Sequence, residues 1–301
     1  MRKGIMAWME ELEAPVEISS LSDFVEKITG DMLFDGNYPV AFRGHGDRSW
    51  QLVPKALRED YFQQNEHRLL RDLISFHPQE FDSDRTMFDK LVRMQHFGLP
   101  TRLLDVTTNP LVALWFAVHD SGAKSSDGAV EAFFIDNKVR CYFDSDKVSC
   151  LSNLAALPYE DREYIRKNIL ENDLSDKDQM KKLLHFIKEE KPYFEPRIDN
   201  LDLLRVLHVT PKMSNKRIIA QSGAFLLFGL DDKDLYSKGI TDKEEGYKNI
   251  RGIKKRQIYF KKSIKSEMQK NLERLGVHAG ALFPDLGKAA EYLSQRYSNP
   301  G

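Results

Sequence analysis

Apolar residues recur along the chain with two different periods, and these divide it into helical and extended stretches. In "ISSLSDFVEKITGDM", Leu21, Phe24, Val25 and Ile28 share one helical face, with Ser and Asp cap candidates ahead of them and Gly30 as the stop. "YPVAFRG" reads as a short buried strand ending at Gly44. "HRLLRDLISFHP" and "TMFDKLVRMQHFG" are amphipathic helices, the second closed by Gly98. "NPLVALWFAVHD" has Asn109 as cap and Pro110 at the first helical position, and it is apolar almost all round. Such a helix belongs in the centre of a core. "GAVEAFFID", "LLRVLHVTP" and "SGAFLLFGL" follow as strands, and "SIKSEMQKNLERLG" and "LGKAAEYLSQRY" close the chain as helices.

Between residues 157 and 196 the pattern changes to charged helices, "YEDREYIRKNILEND" and "KDQMKKLLHFIKEE". That stretch reads as a helical insertion on the outside of a core formed by about 20–156 and 197–293. Strands and helices without strict βαβ alternation predict an α+β fold: one domain over 1–301, with a central mixed or antiparallel sheet flanked by helices.

Composition narrows the class without naming a chemistry. With 301 residues and a net charge of −1, the chain can bury a large core, and no global charge marks it for nucleic acid or a membrane surface. Cys141 and Cys150 are too few for a disulfide framework, and no apolar run is long enough to span a bilayer. The expectation is a cytoplasmic protein. No HExxH or CxxC spacing occurs, so no metal is expected. Walker A, GxGxxG after a strand and GxSxG are missing too.

The residues that invite a chemical reading are arginines set beside the best core segments. Arg43 sits at a strand end before Gly44, which would admit a ligand close to the backbone. Its fixed fork of donors suits a phosphate or carboxylate. Alternatively it braces the fold against an acid such as Asp105. "TRLLDVTTNP" adds Thr101, Arg102, Asp105, Thr107 and Thr108 just before a helix start, where free N–H groups favour anions. Thr108 and Asn109 read equally well as ordinary caps. Gln221 and Ser222 precede Gly223 and a strand, facing a cleft or bonding their own bend. From Tyr247 to Arg274 the chain carries ten Lys or Arg against Glu267 and Glu273. Lys254, Lys255 and Arg256, beside Tyr259 and Phe260, form either a nucleic-acid-binding stripe or a solvated face.

Taken together, these stretches resemble the FRG domain family. Phe42-Arg43-Gly44 matches its name motif, and Trp50, Leu52, Pro54 and Arg58 follow in its W-x-L-x-P-x-x-x-R pattern. Gln95-His96-Phe97-Gly98-Leu99-Pro100-Thr101-Arg102-Leu103-Leu104-Asp105 matches a second block, and Arg217, Gln221, Gly223 and Phe225 a third. The terminal "LFPDLGKAAEYL" fits as well, and Val106 stands where the family often has Trp.

More distantly, the family is similar to the ADP-ribosyltransferase fold. That resemblance implies NAD as substrate, held by Arg43, Gly44, His96, Thr101, Arg102 and Thr107, with Arg43, Asp105 and Gln221 in catalytic positions. It implies a toxin or phage-defence effector that modifies a nucleic-acid or protein acceptor and works with an antitoxin or regulatory partner. Two other readings stay open: a non-catalytic module sensing nucleotide or nucleic acid, and an interaction domain whose arginines are all internal braces.

Overall fold

Strand β5 (Gly128–Ile135) is buried at every one of its eight positions, and the molecule is built on its two faces. Val130, Ala132 and Phe134 point into one apolar cluster, while Phe133 and Ile135 point into another. This is the two-residue period of a strand covered on both sides. The structure is a computed structural model describing residues 10–11, 14–31, 37–119, 121–123, 125–170, 174–230 and 252–298.

Nine strands form one mixed sheet among the described residues. Besides β5 they are β1 (Glu10–Glu11), β2 (Val16–Ile18), β3 (Ala41–His45), β4 (Leu103–Thr107), β6 (Arg140–Tyr142), β7 (Val206–Thr210), β8 (Gly223–Phe228) and β9 (Ile253–Phe260). Their order is β1-β9-β5-β3-β4-β8-β7-β6, and β2 also pairs with β9. β1 and β2 run parallel to β9, and β6 runs parallel to β7. The remaining pairs are antiparallel. The expected α+β domain with a mixed central sheet between helices is what the chain forms.

One face of the sheet carries α1 (Leu21–Glu26), α5 (Pro110–His119) and α10 (Lys265–Arg274), whose Phe24, Leu114, Trp115, Met268 and Leu272 pack with Phe42, Ile258 and Phe260. α5 is the predicted central helix. Its Val112 to Trp115 are buried, and its partly buried Phe116 turns toward the site described below. α5 lies so close to β3 that a Cβ on Gly44 would stand 1.8 Å from the Ala113 carbonyl oxygen. Strand–helix packing therefore requires this glycine, which also lines the cleft between β3 and β4.

The other face carries α3 (Asp60–Phe76), α4 (Met87–His96), α6 (Asp146–Asn153), α7 (Tyr159–Lys167) and α8 (Asp178–Glu190). Ile165, Leu183 and Ile187 of α7 and α8 join the same cluster as Phe88, Leu151, Leu207 and Phe228. The charged helical stretch is thus part of the main core rather than an outer attachment. Its surface-like sequence reflects helices with one apolar stripe each.

β9 is the largest departure from the sequence pattern. The basic stretch is an interior strand, paired with β5 from Gly128↔Phe260 to Ile135↔Ile253 and flanked on its other edge by β1 and β2. Lys254, Lys255 and Arg256 are half-buried, and alternation sends Lys255 to the opposite face from its two neighbours. Lys255 pairs with the buried Glu131 at 3.3 Å. These three residues do not form a single solvated stripe, and positions 247–251 lie outside the described residues.

Candidate functional site

The sheet parts between two of its central strands. β3 pairs with β5 along its whole length, from Ala41↔Phe133 to His45↔Ala129, and β4 pairs with β8 along its whole length. Between β3 and β4, only Phe42↔Thr107 is paired. Beyond that point lies a cleft of about 220 Å³. Its polar lining is Arg43, His45, Asp105, Thr107, Arg217 and Gln221, and its aromatic lining is Phe42, Trp50 and Phe116.

Arg43 spans the parting. Its Nη1 donates to the Asp105 carbonyl oxygen at 2.6 Å, and its Nε donates to His45 Nε2 at 3.2 Å. The acid it was expected to pair with is engaged through its main chain, so the fork is not neutralised by a direct ion pair. Burial pulls the guanidinium pKa down, the Asp105 charge opposes that, and Arg58 adds to it. An arginine remains charged regardless.

The Asp105 side chain is held by the residues of the second sequence block, and the block's composition follows from that task. Gln95, in the last turn of α4, donates from Nε2 to Asp105 Oδ2 at 2.7 Å. Gln95 Oε1 accepts from the Thr101 hydroxyl, which in turn accepts from the Leu103 amide at 3.2 Å. To return from helix to strand within so few residues the chain turns at Gly98, with φ of +89°, a conformation that favours glycine. Asp105 itself is exposed and open to a second molecule.

Arg102 faces away from all of this. It is 1% exposed, and it grips Glu66 of α3 with both ends of its fork, Nε to Oε1 at 2.8 Å and Nη2 to Oε2 at 2.6 Å. Its Nη1 donates to the Phe228 carbonyl at 3.1 Å, and Arg162 of α7 adds a third contact to Glu66 at 3.1 Å. Arg102 and Arg43 therefore do not share a concavity, which corrects the expectation that both hold one ligand. Consecutive strand residues leave on opposite faces, and Arg102 immediately precedes a strand whose two sides do different work.

Thr101 is likewise buried and spent inside the block. Thr107 lines the cleft, but its hydroxyl donates to the Gln221 carbonyl at 2.7 Å and accepts from the Asn109 amide at 3.0 Å. It ties β4 to the turn before β8, where Ser222 has φ of +48°. His96 does not line the cleft. It lies near Arg217, Asp285 and Asp105, and its pKa is lowered by burial and then by Arg217. Gln221 lines the cleft and also bonds the backbone, its Nε2 donating to the Leu282 carbonyl at 3.1 Å.

Seven lining residues were not singled out as ligand contacts from sequence, among them His45, Trp50, Phe116 and Arg217. Arg217, on α9 (Lys216–Ala220), stacks over the Phe283 ring at 4.9 Å. Its charge is thereby brought to the cleft from more than 100 residues downstream of β4. The signal for Trp50 and Arg217 was present in the motif residues, but their roles became visible only once the strands were in place.

A larger concavity of about 710 Å³ lies between α6 and the 191–202 loop. Its charges are largely spent on each other, Lys147 with Asp202 at 3.2 Å and Lys191 with Asp146 at 2.7 Å. Burial pushes the Cys150 thiol there up to about 12, far from a reactive thiolate. It contains none of the motif residues. No group of three or more metal-ligating side chains occurs among the described residues, and no helix there is long and apolar enough to cross a membrane.

No curated protein and no solved structure matches the chain. A family model does, and its span of residues 38–126 runs through β3, Trp50, α3, the Gln95–Asp105 block and α5. One wall of the cleft and its Asp105 support thus fall inside the matched segment, while Arg217 and Gln221 reach it from outside. The matching model is that of the FRG domain, over residues 38–126.

Proposed function

We propose that the cleft between β3 and β4 binds NAD and that the protein transfers ADP-ribose from it to a macromolecular acceptor, as a toxin or defence effector would. The observation that carries this reading is the parting of the sheet after Phe42↔Thr107, which sets two arginines, three aromatic residues and one exposed carboxylate around a single opening. Arginines suit a pyrophosphate, and the rings suit a flat heterocycle. At about 220 Å³ the cleft is smaller than the roughly 300–1,000 Å³ of pockets that enclose a drug-sized ligand. It takes the nicotinamide–ribose half and leaves the rest of the dinucleotide along the mouth.

In this reading the bond between ribose C1′ and the nicotinamide nitrogen breaks, and its electron pair leaves with neutral nicotinamide. Asp105 stabilises the positive charge that develops on the ribose ring and takes the proton the acceptor loses as it bonds to C1′. Gln221, which has no carboxylate, positions a ribose hydroxyl. Exposure of Asp105 gives the acceptor access to the reacting face.

A non-catalytic nucleotide-sensing module is favoured by one observation: Asp105 Oδ2 is already held by Gln95. Nicotinamide release from NAD by the purified protein, with a cell lysate as acceptor source, separates the two readings. Arg217→Ala is expected to raise KM for NAD about tenfold, as loss of one charge-assisted contact should. Binding without release supports the sensing module, and no binding at all refutes both.

A further inference from the structure

The cleft contains a buried donor that the protein itself does not satisfy. His45 is 2% exposed, lines the cleft, and stands 6.3 Å from the Trp50 ring, centroid to centroid. Its Nε2 accepts from Arg43 Nε, so the proton of the neutral ring resides on Nδ1. Nδ1 is buried and has no hydrogen-bond partner among the described residues. Burial, followed by the charges of Arg43, Arg58 and Lys255, brings the ring's pKa down to about 3, so the ring is neutral at any working pH. A buried donor without an acceptor is costly, and His45 Nδ1 is the one such atom among the described residues that belongs to a residue lining the cleft.

We infer that His45 is a ligand-orienting residue whose Nδ1–H donates to an uncharged oxygen of the molecule that enters the cleft. This rests on the reading of the cleft as a nucleotide site and specifies how that site distinguishes its ligand. An uncharged donor selects a carbonyl or hydroxyl oxygen. In NAD, two groups of the half that fits the cleft offer one: the carboxamide and the ribose hydroxyls. Arg43 supplies charge at the mouth, and His45 supplies direction inside. One ring does both jobs, since the nitrogen that Arg43 occupies fixes the tautomer of the other.

The two nitrogens can be tested separately. An asparagine amide overlays Nδ1, and a glutamine amide overlays Nε2. Calorimetric titration of wild type, His45→Asn and His45→Gln with NAD, ADP-ribose and nicotinamide is the measurement. His45→Gln should bind roughly five- to tenfold more weakly, while His45→Asn keeps its affinity. Thermal melts should show the reverse order, because only glutamine gives Arg43 Nε an acceptor. Loss with nicotinamide assigns the carboxamide, and loss with ADP-ribose assigns the ribose.

Equal loss in both variants, or none in either, overturns the inference and leaves the NAD reading standing. Discrimination on ADP-ribose without nicotinamide release overturns the NAD reading alone. A wild type that binds none of the three overturns both. Should a variant not fold, the Nδ1 proton resonance of wild-type His45 decides: it must shift on adding ligand, and an unmoved resonance contradicts the inference.

Discussion

Glu66→Gln should be the most damaging conservative substitution in the chain. The carboxylate lies between two buried guanidinium groups, Arg102 with two contacts and Arg162 with a third. Removing its charge leaves both arginines buried and facing each other. Breaking a buried pair in this way costs about 3–5 kcal/mol. In a protein of this size that lowers the melting temperature on the order of 10 °C. Arg102→Met should cost less, because Arg162 still neutralises Glu66. Burial alone would raise the Glu66 pKa, but the Arg102 and Arg162 charges and the Arg102 hydrogen bonds outweigh it and hold it below the usual range. The stabilisation is therefore complete above the unfolded-state value, about 4.3 for a glutamate. It disappears as pH falls through the lower folded value. Melts at pH 7 should separate wild type from Glu66→Gln widely, and the gap should close in acid. A gap that persists unchanged below the folded-state pKa would show that the charge is not its source.

Arg43→Lys should give the opposite profile. The side chain makes two hydrogen bonds, one across the parting strands to the Asp105 carbonyl and one within β3 to His45. A lysine reaches one of them, so the stability cost is about 1–1.5 kcal/mol, a few degrees at most. The loss in NAD turnover is larger, because an ammonium cannot offer a planar fork to a pyrophosphate while still bridging the strands. A fall in kcat/KM of roughly 10- to 100-fold is expected. Unfolding of the variant would make Arg43 a brace only. Full turnover would remove it from the site.

These two arginines show how far the sequence can be read. Both stand beside apolar runs, both were expected to hold the ligand, and only their faces differ. The decisive partner of Arg102 is Glu66, which sits in "NEHRLL", a stretch that looks like a solvated helix face. Local pattern cannot report that a carboxylate 36 positions away is buried. By contrast α5 and β3 were legible, because an uninterrupted apolar run and a glycine-bounded strand leave few alternatives.

β9 was not legible. Its interior carries Lys255 and Gln257, which satisfy the buried Glu131 and so break the apolar alternation that marks a strand. The cleft was half legible. The Gln95–Asp105 block could be identified by its residues. The convergence of Trp50, Phe116 and Arg217 on one opening depends on the strand order, which no periodicity encodes.

Asp105→Asn tests the central claim most directly, since asparagine keeps an acceptor for Gln95 and removes only the charge. NAD binding and nicotinamide release should be measured together on wild type and variant, with the acceptor source present. The account predicts wild-type release, unchanged NAD affinity in the variant, and release lowered about 10²- to 10³-fold, the usual cost of losing one group that stabilises developing charge. Release by the variant at the wild-type rate would contradict it.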